Sequence, residues 1–315
     1  MHQHEFTLTA VLQASAWILF AVAIGAFIAN VIESRNWTGF ISFITKPLLR
    51  FSRLPGLCGV SFTTAFFSNN AAGSMIATAH AEGKITRKEM FICAITNSFP
   101  AKFKHMLRPS VVIIPLLGFT AILYLAIQLI LELLQVFLVF SFGRRKSVEN
   151  DKHYEAVKKE IPTWAATFKK SLKATGKILI RVILITLPIF IFFAYLGDKG
   201  VFRKLEKKLP QDLQAVLSPE IIAIMSSKMG GLVSSATVAA KLGHEGKVTT
   251  LQILIALMAA NIITIPFSAL RRNLPTALGI FPKRDGFWIV GITQGLRFLF
   301  NFIALAILIF VQLRL

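Results

Sequence analysis

Acidic residues are scarce in this chain: 15 Asp and Glu stand against 35 Lys and Arg, which gives a net charge of +20. Charged residues make up only 16% of the 315 residues, whereas about 25% is usual in soluble domains. The basic residues lie in short segments between apolar runs, where the positive-inside rule places them, and no nucleic-acid-binding motif accompanies them. We therefore expect no nucleic acid among the partners.

Signatures of catalysis are also missing. The sequence has no Walker loop, no GxSxG motif and no dinucleotide fingerprint. Its 6 His and 15 acidic residues make no metal-ligand pattern. We therefore expect neither an enzyme nor a cofactor or metal site, and any transport would be secondary or passive.

Cysteine is nearly absent, with Cys58 and Cys93 as the two examples. They are far apart in sequence and lack metal-ligand spacing, so a disulfide framework is not predicted. We expect two buried apolar thiols.

Long apolar runs are abundant. The chain is 55% hydrophobic and contains 28 Phe. Several runs reach the roughly 18–20 residues that cross a bilayer, and the first shows no signal-peptide cleavage site, so we expect it to be retained. These features predict a multi-pass protein of the cell membrane with lipid partners. The clearest spans are Leu8–Ile32, Val111–Phe142, Ile178–Leu196 and Phe287–Leu313.

One short motif occurs twice. Glu82–Thr86 reads Glu-Gly-Lys-Ile-Thr in the first half of the chain, and Glu245–Thr249 reads Glu-Gly-Lys-Val-Thr in the second. A small-residue polar helix precedes each copy, and an apolar segment containing proline follows it. We therefore predict an internal duplication, and we interpret the turn itself as a solvent-exposed loop that aligns the two copies.

The same order of segments is predicted in each half: a span, an interfacial amphipathic helix, the small-residue helix, a short segment stopped by proline, and a long closing run. A basic connector separates the halves and is expected on the cytoplasmic side. The predicted units are a first repeat (1–142), the linker (143–172) and a second repeat (173–315). The interfacial helices are Asn36–Arg53 and Gly200–Leu217, the small-residue helices Leu57–Ala79 and Ile221–Leu242, and the proline-stopped segments Met90–Phe99 and Thr250–Phe267.

The predicted fold is thus all-α: a polytopic transmembrane helical bundle of two internal repeats, with interfacial amphipathic helices and broken or re-entrant helices. The orientation of the repeats stays open. Four true spans in each half would make the halves parallel, whereas one re-entrant segment in each would invert them.

Polar groups at membrane depth are the candidate substrate contacts, because they are costly unless they are paired or face a wet cavity. Asn-Asn and Gly-Gly pairs in the small-residue helices permit helix breaks whose free N–H groups would face a ligand. Close helix packing, carbonyl repair beside proline and snorkelling of basic residues are the structural alternatives. The candidates are Ser68, Asn69, Asn70, Ser74, Asn97, Ser98, Lys102, His105, Ser234, Ser235, Thr237, Asn261, Thr264 and Arg271.

Two closing runs carry charged residues of opposite sign. Arg297 stands in the last run, one turn from Asn301, and Glu132 stands in the fourth segment, one turn from Gln128. An Arg297–Glu132 ion pair between the repeats would explain both charges structurally.

The paired small-residue helices, the repeated turn and the short proline-broken segments resemble the nucleoside recognition, or gate, domain family. That domain is shared by concentrative nucleoside transporters, the membrane gates of ferrous iron transporters, and spore maturation proteins A and B. The two-gate layout is similar to uncharacterised archaeal and bacterial members. The resemblance covers residues 9–142 and 173–315 and implies a membrane helical fold without naming a solute.

These observations together predict a secondary transporter or facilitator for a small polar, nucleoside-like or anionic solute that binds between the repeats. The site is expected to be asymmetric, because the two aligned copies differ in sequence: one has two Asn, and the other has Gly-Gly and additional Ser. A lipid-phosphate carrier or flippase and a non-transporting membrane scaffold remain alternatives. Assembly as a homodimer is left open.

Overall fold

The computed structural model describes Phe27, Val31 and residues 56–66, 68–143, 163–181 and 218–314. These residues form helices and turns, with no β-strand among them, which confirms the all-α class for the described part. A 3₁₀ turn, Lys228–Gly230, separates α7 from α8, and a π-helical turn, Ala269–Asn273, joins α9 to α10. The helices are α1 (Gly56–Ala65), α2 (Asn69–Ala81), α3 (Arg87–Thr96), α4 (Ser98–Leu117), α5 (Phe119–Gly143), α6 (Trp164–Arg181), α7 (Pro219–Ser227), α8 (Leu232–His244), α9 (Thr250–Ser268), α10 (Leu274–Ile280) and α11 (Lys283–Arg314).

Three of the described stretches are long and apolar enough to cross a membrane. They are Phe119–Phe142 in α5, Thr250–Ile280 from α9 through α10, and Lys283–Arg314 in α11. Many large apolar side chains on α5 and α11 face outward, as lipid-facing helices require. These helices indicate that the protein associates with a membrane.

Several predicted segments lie outside the described residues. They are nearly all of Leu8–Ile32, all of the interfacial helices Asn36–Arg53 and Gly200–Leu217, and most of the Ile178–Leu196 span. Most of the 143–172 linker is also outside them. The described helix α6 runs across the predicted boundary between this linker and the second repeat.

Both copies of the repeated motif adopt the same local structure. Gly83 and Gly246 take positive φ angles of 70° and 67°, a conformation that glycine adopts without a Cβ penalty. The next N–H, from Lys84 or Lys247, bonds back to the helix that has just ended and closes a Schellman motif at 2.9 and 3.0 Å. A capping box then starts the following helix in each copy. The five-residue motif therefore encodes the end of one helix and the start of the next.

Helix boundaries recur at the same spacing as the motif. The helices α1, α2 and α3 are followed, in the second half, by α7, α8 and α9, and the offset between the first residues of each pair is constant and equal to that between the two motif copies. The ends of α4 and α10, Leu117 and Ile280, are separated by the same offset. Between these matched boundaries the copies differ. The first is interrupted at Asn97, whereas the second continues as one helix until the π-helical turn.

The expected breaks in the two small-residue helices are present. The first break separates α1 from α2, and Ser68 caps α2 by accepting the Ala71 N–H at 3.2 Å. The second break lies at Lys228–Gly231, where Gly231 has a φ of 114°. Each small-residue segment is therefore two short helices rather than one.

Two predicted boundaries differ from the structure, and a third predicted run is divided. Gly118, at a φ of 54°, divides the Val111–Phe142 run into α4 and α5. Pro266 does not stop its helix, since α9 continues to Ser268 and the π-helical turn absorbs the irregularity. Pro100 lies in the first turn of α4, where its missing N–H has no intrahelical partner to lose, and the break falls earlier, at Asn97.

The prediction of two buried thiols is wrong. Cys58 of α1 and Cys93 of α3 form a disulfide, and their Cα atoms lie 5.4 Å apart, within the range that the bond requires. The chain reverses between α2 and α3, which brings α3 back against α1. The two cysteines are 35 residues apart in sequence, and that spacing does not indicate that they are close in space.

Two apolar clusters form the core of the described part of the chain. The first joins α1, α2 and α3 to the end of α5 and the start of α11, with Phe62 and Ile76 at its centre. The second joins α7, α8 and α9 to the start of α5 and the end of α11, with Ile224 and Leu257 at its centre. The long helices α5 and α11 therefore contribute to both clusters.

The long helices α5 and α11 run antiparallel where they meet. Gln128 donates to Asn301 Oδ1 at 2.9 Å, and one turn later along α5, Glu132 accepts from Arg297, which is one turn earlier along α11. Residue numbers that rise on one helix therefore fall on the other. The predicted Arg297–Glu132 pair is confirmed: Nε and Nη2 donate to the two carboxylate oxygens at 2.6 and 3.0 Å.

The α10–α11 hairpin depends on a close backbone approach at Gly286. A Cβ added to Gly286 would lie 2.9 Å from the Ala277 carbonyl oxygen, so a neighbouring helix would have to shift. We expect Gly286→Ala to lower the free energy of unfolding by about 1–3 kcal/mol through overpacking. Denaturant titration of the purified protein in mixed micelles measures this difference.

Gly295 provides the matched control for that substitution, because it lies in the same helix with no atom within 4 Å of an added Cβ. Gly295→Ala should be neutral or stabilising by up to about 1 kcal/mol, since alanine favours the helix. Equal effects of the two substitutions would contradict the close approach at Gly286.

Candidate functional site

A cavity of about 500 Å³ lies between the two apolar clusters. Its size is within the range of roughly 300–1,000 Å³ that is typical of small-molecule sites. One face of α4 forms a wall, with cavity-lining residues at helical spacing from Ser98 to Pro109. The other walls come from α2, α5, α9, α10 and α11, from Lys228 in the 3₁₀ turn and from the first residue of α8.

The cavity wall is positively charged. Lys102, Lys228, Arg272 and Arg297 line it together with His105, and no Asp or Glu occurs among the described lining residues. The Glu132 carboxylate lies behind the wall and is engaged by Arg297. The Glu132 carboxylate therefore balances the positive charge of Arg297.

Lys228 is the most buried cation of this wall, at 8% exposure. Its Nζ donates to Asn261 Oδ1 at 2.6 Å, and to the Leu257 carbonyl oxygen and Tyr124 Oη at 3.2 Å each. These three bonds use all three ammonium donors. All three acceptors are neutral, so the ammonium charge has no carboxylate among its hydrogen-bond partners.

Lys102 lies just over one turn into α4. Among the described residues it has neither a hydrogen bond nor an ion pair. The charges of Arg297, Glu132 and Lys228 act on its ammonium group electrostatically. Its ammonium donors are therefore available to an anion inside the cavity.

A hydrogen-bond network links the cavity to the α5–α11 ion pair. Asn261 Nδ2 donates to Tyr124 Oη at 3.0 Å and to Asn301 Oδ1 at 3.4 Å. Asn301 in turn donates to the Arg297 carbonyl oxygen at 2.8 Å. The network crosses α5, α9 and α11, three helices that carry the candidate spans, and so joins them to one another.

Most of the predicted site residues meet in this cavity. They come from opposite halves of the sequence, and the structure brings them together around one space. The predicted residues that line the cavity are Asn69, Asn70, Asn97, Ser98, Lys102, His105, Asn261 and Thr264.

The remaining predicted residues lie elsewhere. Ser235 Oγ donates to the Ile224 carbonyl oxygen at 2.8 Å, and Thr237 Oγ1 to the Val233 carbonyl oxygen at 2.9 Å, so these hydroxyls bond to backbone. The other four are Ser68, which caps α2; Ser74 and Arg271, which are exposed; and Ser234, which is fully buried and does not line the cavity.

The site also contains residues that the sequence prediction missed, chiefly Lys228, Tyr124 and Arg272. A signal for Lys228 was available, because it is a cation within an apolar segment and lies just before Gly230-Gly231. Arg272 rather than its neighbour Arg271 lines the cavity. That choice depends on the phase of the π-helical turn, which the sequence pattern does not reveal.

No group of three or more His, Cys, Asp or Glu side chains that could hold a metal ion occurs within the described residues.

The chain is similar to proteins of Methanocaldococcus jannaschii over most of its length. Uncharacterized protein MJ1556 is 26% identical over 281 residues, which cover 88% of each chain. Uncharacterized protein MJ0871 is 24% identical, covering 89% of this chain and 88% of the relative, and uncharacterized protein MJ0880 is 27% identical, covering 84% and 88%. No protein-family model and no solved structure matches the chain. The similarity therefore extends across both halves of the sequence.

Proposed function

We propose that this protein is a multi-pass membrane transporter or facilitator that binds a small anionic solute in the cavity between its two halves. The composition of the cavity wall supports an anionic solute. Lys102 and Lys228 have no carboxylate partner there, and no acidic side chain is among the described lining residues. Isolated buried cations are costly. An anion in the cavity offsets that cost, and nucleoside-like groups find hydrogen-bond partners in Asn69 and Asn97, which also line it.

The architecture that we propose is a pair of inverted repeats. The helices α5 and α11 are the closing runs of the two halves, and they meet antiparallel at the Gln128–Asn301 and Glu132–Arg297 contacts. Inverted repeats place a substrate site at the repeat interface, beside broken helices. The breaks at Asn97 and Lys228–Gly231 border the cavity, which supports this arrangement and a gate-domain relationship.

The test is solute exchange by the full-length protein in proteoliposomes. Vesicles loaded with unlabelled uridine monophosphate are placed in labelled uridine monophosphate, and uridine serves as the uncharged matched solute. We expect the nucleotide to exchange faster than the nucleoside. Lys102→Met should lower nucleotide exchange by about 10-fold or more, since a hydrogen bond to a charged group contributes about 1.5–3 kcal/mol.

Lys88→Met is the control variant, because Lys88 is exposed at the start of α3 and does not line the cavity. It should exchange nucleotide as the unmodified protein does. Absence of nucleotide exchange, or exchange that Lys102→Met leaves unchanged, contradicts the proposal. Phospholipid that copurifies and protects Lys102 from chemical labelling would favour the lipid-phosphate carrier instead. A non-transporting scaffold would have a closely packed interface between the repeats. The cavity therefore does not favour the scaffold hypothesis.

A further inference from the structure

Asn97, a residue of the cavity wall, carries a buried and unpaired acceptor atom. The residue is 3% exposed, lines the cavity and stands at the break between α3 and α4. Its Oδ1 atom has no hydrogen-bond donor within the described part of the chain. A buried acceptor without a donor costs about 1–3 kcal/mol. Such a group in a cavity wall is therefore a candidate ligand contact.

The hydrogen bond to Ser61 fixes which end of the Asn97 amide is unpaired. Ser61 Oγ donates its one hydrogen to the Cys58 carbonyl oxygen at 3.0 Å. The hydroxyl can therefore only accept from Asn97, and the atom that donates to it at 3.4 Å is the amide nitrogen Nδ2. This assignment leaves the acceptor Oδ1 as the other end of the amide. The amide orientation follows from this network rather than from the similar shapes of oxygen and nitrogen.

The anionic subsite lies nearby on the same helix wall. Lys102 follows Asn97 by a little more than one helical turn, which corresponds to roughly 7–8 Å along a helix axis. Both residues line the same cavity. One small organic molecule can therefore contact both residues.

We propose that the cavity selects a two-ended solute: a small organic anion whose charged group binds Lys102, near Lys228, and whose hydroxyl or amino group donates to Asn97 Oδ1. This inference rests on the proposed function and narrows it. Inorganic anions and anions without a donor leave Asn97 unpaired and bind more weakly. Organic phosphates and carboxylates share the required chemistry when they carry a hydroxyl or amino group.

Two matched pairs of probes test the inference on the purified full-length protein. Glycerol 3-phosphate is compared with propyl phosphate, and glycerate with propionate, so that each pair differs in its hydroxyl groups. Thermal stabilisation is measured against probe concentration, with inorganic phosphate as a reference. In at least one pair the hydroxylated member should reach half-maximal stabilisation at about 10-fold lower concentration, the factor that corresponds to about 1.4 kcal/mol. The responding pair distinguishes a phosphate from a carboxylate.

Two variants assign the effect to the amide. Asn97→Leu removes the acceptor and should abolish discrimination within the pair while anion binding remains. Ser61→Ala frees the amide to turn its Nδ2 toward the cavity, so it should weaken discrimination even if Asn97→Leu fails to fold. Equal stabilisation by both members of each pair, stabilisation by none, or discrimination that survives in both variants overturns the inference. Nucleotide exchange is measured separately, so exchange without discrimination refutes only this inference, and discrimination without exchange refutes only transport.

Discussion

Replacing Glu132 with leucine is expected to lower the free energy of unfolding by about 3–5 kcal/mol, because it leaves a buried guanidinium without its counter-ion. The carboxylate side chain is 4% exposed and the Arg297 side chain 12% exposed. Arg297 donates two hydrogen bonds to that carboxylate, and its third contact, to Gln294 Oε1, is long at 3.4 Å. The other acidic residue of α5 and α11, Asp285, is already paired with Arg87 near the start of α11 and cannot replace Glu132.

A double-mutant cycle in mixed micelles checks this prediction. Glu132→Leu and Arg297→Leu should each destabilise strongly, whereas the double variant should recover most of the loss, since an apolar pair can replace a buried ion pair at little cost. The exposed Lys84–Glu82 pair is the control, and Glu82→Gln there should change stability by no more than about 1 kcal/mol. A double variant as unstable as the sum of the singles would show that the two charges are not coupled.

Removing the Cys58–Cys93 disulfide is expected to lower the free energy of unfolding by about 4 kcal/mol, the chain-entropy value for a loop of this length. The bond closes a loop with a separation of 35 residues that contains all of α2. It also joins α1 to α3, so the effect should include the wall that carries Asn97. Unfolding of the Cys58→Ser, Cys93→Ser double variant measures the difference.

A reductant provides the internal control for the disulfide. Reduction of the unmodified protein should produce a loss of stability similar to that of the double variant, and the double variant should not respond. Insensitivity of the unmodified protein to a reductant that demonstrably frees both thiols would contradict the prediction. The same experiment reports whether the α2 region unfolds separately from the rest of the protein.

Local signals in the sequence were informative wherever neighbouring residues alone control the backbone. The Glu-Gly-Lys-[Ile/Val]-Thr motif encodes a Schellman motif and a capping box through a positive-φ glycine and a threonine cap, so both copies have the same structure. The helix breaks before Asn69 and at Gly230-Gly231 follow from the same kind of short-range preference. The proline signals misled because α9 continues through Pro266 with help from a π-helical turn.

The candidate site was predictable only in part. Polar residues within or beside apolar segments could be found by their expected cost in a bilayer, and Asn97, Lys102 and Asn261 do line one cavity. The hydroxyls of α8 have the same composition signal, yet Ser235 and Thr237 bond to helix backbone. A sequence pattern does not distinguish these outcomes, because the direction of a side chain depends on how its helix packs.

The repeated turn, which first indicated a duplication, aligns two sets of helix boundaries at one constant offset. The sequence by itself determined the helical class, the long apolar segments, the turns and the opposite charges of Glu132 and Arg297, because each follows from composition or from residues close in the chain. Only the tertiary structure decided that Lys228 joins Asn261 and Tyr124, that Cys58 meets Cys93, and that Ser61 orients Asn97. Those contacts join residues from separate segments of the chain. Their geometry depends on how the helices pack together, which the sequence of any one segment does not specify.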